Sequence, residues 1–265
     1  MRPALIATDL DGTFLGARSE PHPGNLAAAR RAVAAGAVFV VATGRPRRWL
    51  KDLAALSDID PMVISSNGAA TGRLTADRAE FIHIIAPERA LEFATALPRK
   101  FEVAFAVEYE HTWGREPAYP EGQFSSAELV APLSVLLEAA PIVKVLARTQ
   151  HADTHVFSPV ALAAAQGHLE ATFSWHDACG TVELSAVGVT KGKALAELLS
   201  VEGIDPTQCV AFGDMRNDLE MLQLVGRGFI MAGADPCLLG RGFTQIGHHE
   251  DGAVGDTILQ LLSEA

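Results

Sequence analysis

Short apolar runs alternate along this chain with longer stretches of helical rhythm. Residues 4–8, 38–42 and 62–65 are apolar runs bounded by glycine or polar groups, the pattern of buried strands. The spacing predicts a helix over 25–35, ended by Gly36, and a second helix opening at Thr43-Gly44-Arg45-Pro46. From about Thr71 to about Ser185 the rhythm changes. Here helices are predicted at 86–97 and 159–170, strands at 103–107, 142–146 and 181–184, and a loop rich in Pro, Gly and charge at 114–126. The first rhythm then returns, with helices at 191–199, 219–224 and 254–263 and strands at 209–212 and 228–231. Strands alternating with helices imply βαβ units and a parallel sheet. The expected architecture is an α/β parallel-sheet core from residues 1–71 and 186–265, with an inserted α+β domain over 72–185.

The polar residues gather where strands end. Asp9 and Asp11 follow the first apolar run directly, and in open α/β sheets ligands bind at the carboxyl ends of strands. Packing explains two such carboxylates poorly, because like charges repel unless a cation lies between them. A hard cation such as Mg2+ prefers oxygen ligands and supplies that charge. Alternatively, one aspartate is a nucleophile, since carboxylates form aspartyl-phosphate intermediates.

Composition narrows the class. A chain of 265 residues holds one large or two modest domains, and its 49% apolar and 20% charged fractions are ordinary for a globular protein. No apolar run reaches the roughly 20 residues that span a bilayer, and the Asp motif begins too early for a signal peptide, so a cytoplasmic protein without membrane contact is expected. Cys179, Cys209 and Cys237 lack CxxC spacing and read as reduced thiols. A net charge of −11 excludes a general nucleic-acid surface and requires that an anionic substrate be held by locally placed cations.

Four segments carry compatible chemistry: Asp9-Leu10-Asp11-Gly12-Thr13, Thr43-Gly44-Arg45, Lys191-Gly192 and Gly213-Asp214-Met215-Arg216-Asn217-Asp218. Singly, each reads as a turn, a solvated lysine or a helix cap. In this order the chain resembles the haloacid dehalogenase (HAD) superfamily, Cof-type subfamily, through DLDGT at 9–13, ATGR at 42–45, SNGA at 66–69, GVTKGKAL at 188–195 and GDMRND at 213–218.

The resemblance implies a Rossmannoid core, helices on both faces of its sheet, and an inserted C2-type cap. It implies a Mg2+-dependent phosphatase of small phosphorylated metabolites such as sugar phosphates. Asp9 is then the nucleophile and Asp11 the general acid and base. Thr43 binds a phosphoryl oxygen and Lys191 neutralises charge on Asp9 and the phosphoryl group. The metal set is Asp9, the Asp11 carbonyl and Asp214, with Asp218 orienting the site from nearby and counted in the metal group. Gly12, Gly44, Arg45, Asn67 and Asn217 complete the expected phosphate and substrate surroundings. A phosphomutase on the same core is the alternative enzyme. A non-catalytic phosphometabolite sensor is the alternative outside catalysis, although such a protein is expected to have lost one of Asp9, Asp11, Lys191 or Asp214. In the inserted region His111, Trp113, Arg115, Glu116, Tyr119 and Glu121 are candidate substrate contacts or plain surface loop. Lys193 is expected to be solvated, and His248-His249 to lie in an exposed loop.

Overall fold

The computed structural model describes residues 2–16, 18–120, 127–173 and 178–264, with backbone alone at 51 and 52. In chain order its strands begin with β1 (Leu5–Thr8), β2 (Val38–Ala42), β3 (Met62–Ser65), β4 (Ala70–Arg73) and β5 (Phe81–Ile82). There follow β6 (Ala104–Glu108), β7 (Trp113–Arg115), β8 (Leu129–Val130), β9 (Lys144–Arg148), β10 (Glu170–Thr172) and β11 (Thr181–Ser185). The last are β12 (Cys209–Gly213), β13 (Arg227–Ile230) and β14 (Thr244–Gln245). The α-helices are α1 (Pro23–Ala34), α2 (Pro87–Ala96), α3 (Leu133–Ala139), α4 (Thr154–Ala165), α5 (Lys191–Glu202), α6 (Leu219–Leu224) and α7 (Ala253–Ser263).

The first sheet has the order β14-β13-β12-β1-β2-β3-β4-β5, parallel from β14 to β3 and antiparallel beyond. Side chains alternate between the faces of a strand. Ile6, Phe39, Val41, Val210 and Phe212 therefore share one face, covered by α1 and α7 through Ala28, Ala32, Val254 and Ile258. Leu5, Ala7, Val40, Ile64 and Ala211 share the other, covered by α5 and α6 through Leu195, Leu198 and Met221. Both faces are apolar cores, so polar chemistry has room only at the strand ends. This is the α/β core with helices on both faces that the sequence predicts. The sheet also takes in β4, which spans the expected turnover at residue 71, and β5, which lies beyond it.

The second sheet has the order β10-β11-β9-β6-β7-β8 and is antiparallel except at β7–β8. Helices cover one face only, where Phe93 of α2, Leu136 of α3 and Phe157 of α4 pack on Phe105, Val107, Val145 and Val182. The opposite face bears Ala104, Ala106, Trp113, Tyr119 and Leu146, together with the buried charged residues Glu108, Lys144 and Glu183.

Several elements differ from expectation. β9 starts two residues after the strand expected at 142–146, and β7 enters the expected 114–126 loop. No α-helix opens at Thr43; after Pro46 the chain makes 3-10 turns over Arg47–Leu56, because a proline holds the residue before it out of the helical region. The helix expected at 159–170 is α4, begun by Asp153, whose side chain accepts the Val156 N–H at 2.9 Å. Pro159 resembles a helix start but lies inside α4, and 170–172 is strand β10.

Candidate active site

The carboxyl ends of β1 and β12, neighbours in the first sheet, bring the acidic motifs together. Asp9 follows β1 and its N–H donates to the Phe212 carbonyl of β12 at 2.9 Å, which holds its side chain at the sheet edge. The chain then turns sharply at Gly12, with φ of 79°. A Cβ there would lie 2.5 Å from Asp214 Oδ2, so both the turn and the approach of Asp214 demand glycine. Thr13 Oγ1 donates to Asp214 Oδ1 at 2.8 Å and fixes that carboxylate.

Lys191 is the first residue of α5, whose N-cap Thr190 accepts the Lys193 N–H at 3.1 Å. The packing of α5 on α6 is so close that a Cβ at Gly192 would lie 2.6 Å from Glu220 Cβ. This buries Lys191 to 1% exposure, and its Nζ donates to Asp9 Oδ1 at 2.5 Å and to Asp218 Oδ1 at 2.7 Å. Asp218 is fully buried and its Oδ2 accepts the N–H groups of Asp214 and Met215 at 3.0 and 2.9 Å. One carboxylate thus locks the lysine and the loop of Asp214. Lys193, two positions on, is exposed, as expected.

The electrostatics mark a site short of positive charge. Burial raises Asp9 well above the usual carboxylate range against the pull of Lys191, with Asp218, Asp214 and Asp11 adding to the rise. Burial, then Asp218, push Asp214 up to about 7. Burial opposes the charge on Lys191, but Asp218 and Asp9 outweigh it and raise its pKa above the ordinary lysine value. One oxygen from each of Asp9, Asp214 and Asp218 lies within 4.8 Å of the others. Three acids served by one ammonium, two of them raised, fit a divalent cation, which removes their mutual repulsion.

The other expected residues divide into two groups. Thr43 is buried and its Oγ1 accepts the Arg45 N–H at 3.0 Å. Arg45 grips Asp11 with two bonds, Nε to Oδ2 at 2.8 Å and Nη2 to Oδ1 at 2.6 Å, so the Asp11 side chain is exposed and turned toward Arg45, outside the acidic cluster. Asn67 and Asn217 meet at 3.0 Å, Nδ2 of Asn217 donating. Gly44 gives its carbonyl to Lys144 Nζ of the second sheet at 2.7 Å.

Several residues nominated from sequence have other partners. Arg115 Nη1 donates to the carbonyl of Tyr119 at 3.0 Å and to those of Glu116 and Pro117, and Glu116 accepts the N–H groups of Phe105 and Leu133. Arg115 holds its own loop, and Glu116 ties that loop to β6 and to the start of α3. Tyr119 is buried beside Trp113 on the helix-free face, and Glu121 lies outside the described residues. His111 is exposed beside Glu110. His248 is exposed as expected, but His249 is half-buried with Nδ1 2.7 Å from the Leu15 carbonyl, tying the loop after Asp9 to the 3-10 turn that precedes α7.

Sequence reading missed Arg48, Glu108, Lys144 and Glu183. Arg48 reaches from the first unit to Glu108 with contacts of 3.0 and 2.6 Å, and Lys144 pairs with Glu183 at 2.9 Å. The available signal was a charge in the middle of an apolar strand, as in Val143-Lys144-Val145 and Val182-Glu183-Leu184.

Comparison with known proteins agrees with this geometry. Residues 6–258 match the haloacid dehalogenase-like hydrolase family. The chain is 28% identical to the pyridoxal phosphate phosphatase YbhA of Escherichia coli (strain K12), over 97% of this chain and 98% of that one. It is 29% identical to the HMP-PP phosphatase of Klebsiella pneumoniae (strain 342), over 88% and 86%. Among solved structures, the HAD subclass IIB sugar phosphatase BT4131 shares the fold with a TM-score of 0.81 at 19% identity, covering 97% and 98%. SMU.1108c from Streptococcus mutans UA159 does so at 0.85 and 22%, covering 98% and 99%. The chain belongs to the haloacid dehalogenase-like hydrolases, Cof type. Among the described residues no helix is long and apolar enough to cross a membrane.

Proposed function

We propose that this protein hydrolyses small phosphorylated metabolites through a phosphoaspartate on Asp9, with Mg2+ as its metal. The observation that carries the reading is the buried Lys191 ammonium shared by Asp9 and Asp218, with Asp214 beside them. The lysine steers Asp9 while leaving its second oxygen for attack. Asp9 forms a bond to phosphorus as the bond to the leaving oxygen breaks, and Asp11 gives that oxygen its proton. Asp11 then takes a proton from the water that attacks phosphorus, and Asp9 is released with inorganic phosphate. Both Asp11 oxygens accept from Arg45 here, so Asp11 must turn from Arg45 to reach the leaving oxygen. Thr43 accepts from Arg45, which leaves its own hydroxyl proton for a phosphoryl oxygen.

Asp9, Asp214 and the Asp11 carbonyl would hold the metal. Asp218, whose two oxygens already accept three donors, would position Asp214 and Lys191. When bound, the cation neutralises the phosphoryl oxygens and the carboxylates around them.

In this reading residues 1–71 and 186–265 are the catalytic core and 72–185 the cap that selects the leaving group. The extent of the first sheet supports setting the first boundary nearer Ile82. Pyridoxal phosphate, named for one relative, and the sugar phosphates head the substrate panel. A cytoplasmic location suits the three free cysteines. The test is turnover of that panel with Mg2+ by the wild type, Asp9→Asn and Asp11→Asn. Asp9→Asn should be inactive and form no phosphoenzyme, and Asp11→Asn should lose about 10²- to 10⁴-fold in rate. Turnover by Asp9→Asn would sink the reading.

A further inference from the structure

A buried chain of hydrogen bonds joins the two sheets. Lys144 Nζ on β9 donates to the Gly44 carbonyl at 2.7 Å and to Glu183 Oε1 at 2.9 Å. Glu183 Oε2 on β11 accepts from Asn67 Nδ2 at 2.7 Å, and Asn67 Oδ1 accepts from Asn217 Nδ2 at 3.0 Å. Asn217 precedes Asp218, which holds Lys191 and through it Asp9. Lys144, Glu183 and Asn67 are 2%, 2% and 3% exposed.

The chain has a direction. A carboxylate only accepts hydrogen bonds, whereas an amide has one donating and one accepting end. Glu183 therefore compels Asn67 to point its nitrogen at the second sheet and its oxygen at Asn217. Asn67 is itself tied to the phosphate-facing loop. Its N–H donates to the Thr43 carbonyl and that of Ser66 to the Arg45 carbonyl, both at 3.0 Å. Ser66 and Asn67 also stand in the left-handed region, with φ of 49° and 57°. Such a backbone persists only where its surroundings over-determine it.

We propose that Glu183 and Lys144 are positioning residues for phosphoryl transfer. Glu183 sets the amide of Asn67 and, through Asn217, the loop that carries Asp214 and Asp218. Lys144 sets Gly44 between Thr43 and Arg45. The catalytic groups of the first sheet reach their working geometry only when the polar face of the second sheet is seated on them. The proposal rests on the phosphoryl-transfer reading above.

An exchange of polarity tests it. In Glu183→Gln the new amide can still accept from Lys144, but its N–H2 then meets the N–H2 of Asn67. Asn67 must lose that bond or turn over against Asn217. In the double variant Glu183→Gln/Asn67→Asp, the introduced amide donates to the introduced carboxylate, whose other oxygen accepts from Asn217. The chain is restored and the net charge is that of the wild type. With p-nitrophenyl phosphate and Mg2+, Glu183→Gln should lower kcat by roughly 10- to 100-fold. The double variant should regain most of that loss, and KM should change little in either. Wild-type kcat in Glu183→Gln, or a double variant no faster than the slower single one, overturns the proposal. Circular dichroism checks folding. If Glu183→Gln does not fold, Asn67→Ala cuts the same chain from the first sheet, with a fall in kcat expected and wild-type kcat overturning. The outcome separates from the underlying chemistry. An inactive Asp9→Asn with an unimpaired Glu183→Gln refutes the positioning chain alone.

Discussion

The two sheets of this protein solve different problems with the same periodicity. The first is covered by helices on both faces, so its central strands are apolar except for Thr8 and Ser65 at their carboxyl ends, and the charged residues of the acidic motifs stand beyond those ends. Among the described residues helices cover one face of the second, and its other face carries charge at Glu108, the last residue of β6, Lys144, the first of β9, and Glu183 in the middle of β11. A sheet sealed on both sides makes its site from loops held at fixed ends. A sheet open on one side makes a surface that another unit can seat upon. In this protein the seat is polar: Arg48–Glu108 and Lys144–Glu183 lie in or against it, at side-chain exposures of 11% and 3% and of 3% and 3%. Such pairs specify register more than they add stability, because both ions lose hydration.

The sharpest test of that division is at Asp9, the proposed nucleophile. If the first sheet does the chemistry, Asp9→Asn abolishes turnover of every substrate alike. A substrate that Asp9→Asn still turned over would break the comparison.

Lys191→Ala comes next. It strands Asp9 and Asp218 as buried carboxylates, so activity should collapse and stability should fall by about 3–5 kcal/mol. Exposed Lys193→Ala should stay within about 0.5 kcal/mol of wild type in the same denaturant titration. Equal effects would misplace the helix start on which the site depends.

The pH dependence of the metal site probes the same strand ends. Asp214 sits at about 7 when metal-free, above its value of about 3.8 in an unfolded chain. Between those values the native state holds a proton that the unfolded state has released. Its contribution to stability is therefore full at low pH and is lost as pH rises toward 7. A cation must displace that proton, so it binds more tightly at pH 7.5 than at pH 5.5. Thermal unfolding should show a larger upward shift with Mg2+ at the higher pH; a larger shift at pH 5.5 would contradict the assignment.

Lys144→Met probes the second sheet. It should depress turnover less than Lys191→Ala and lower kcat on pyridoxal phosphate and p-nitrophenyl phosphate by similar factors, because Lys144 acts through the Gly44 carbonyl rather than on the leaving group. A loss confined to one substrate would contradict that positioning role. The smallest effect should come from Arg115→Ala, whose guanidinium holds carbonyls of its own loop. Substrate ranking should be unchanged, with a modest drop in unfolding temperature.

Although the first sheet runs past the expected turnover at Thr71 to Ile82, the sequence by itself determined the alternation of strands and helices and the acidic, threonine and lysine residues at the strand ends. These are readable because strand ends concentrate function in contiguous residues: Asp9 and Asp11 sit in one pentapeptide, and Asp214, Asn217 and Asp218 in another. Only the tertiary structure decided what meets what. Arg45 takes Asp11, Asp218 is occupied by Lys191 and two backbone N–H groups, and Asn67 faces the second sheet. It also decided that Lys144 meets Glu183 and the Gly44 carbonyl, although 39 positions separate the two charged residues and 100 separate Lys144 from Gly44. The physical reason is the geometry of a sheet face. Its members are drawn one at a time from alternate positions of distant strands, so no local run of sequence displays them, and they acquire meaning only when pairing and docking bring them to one surface.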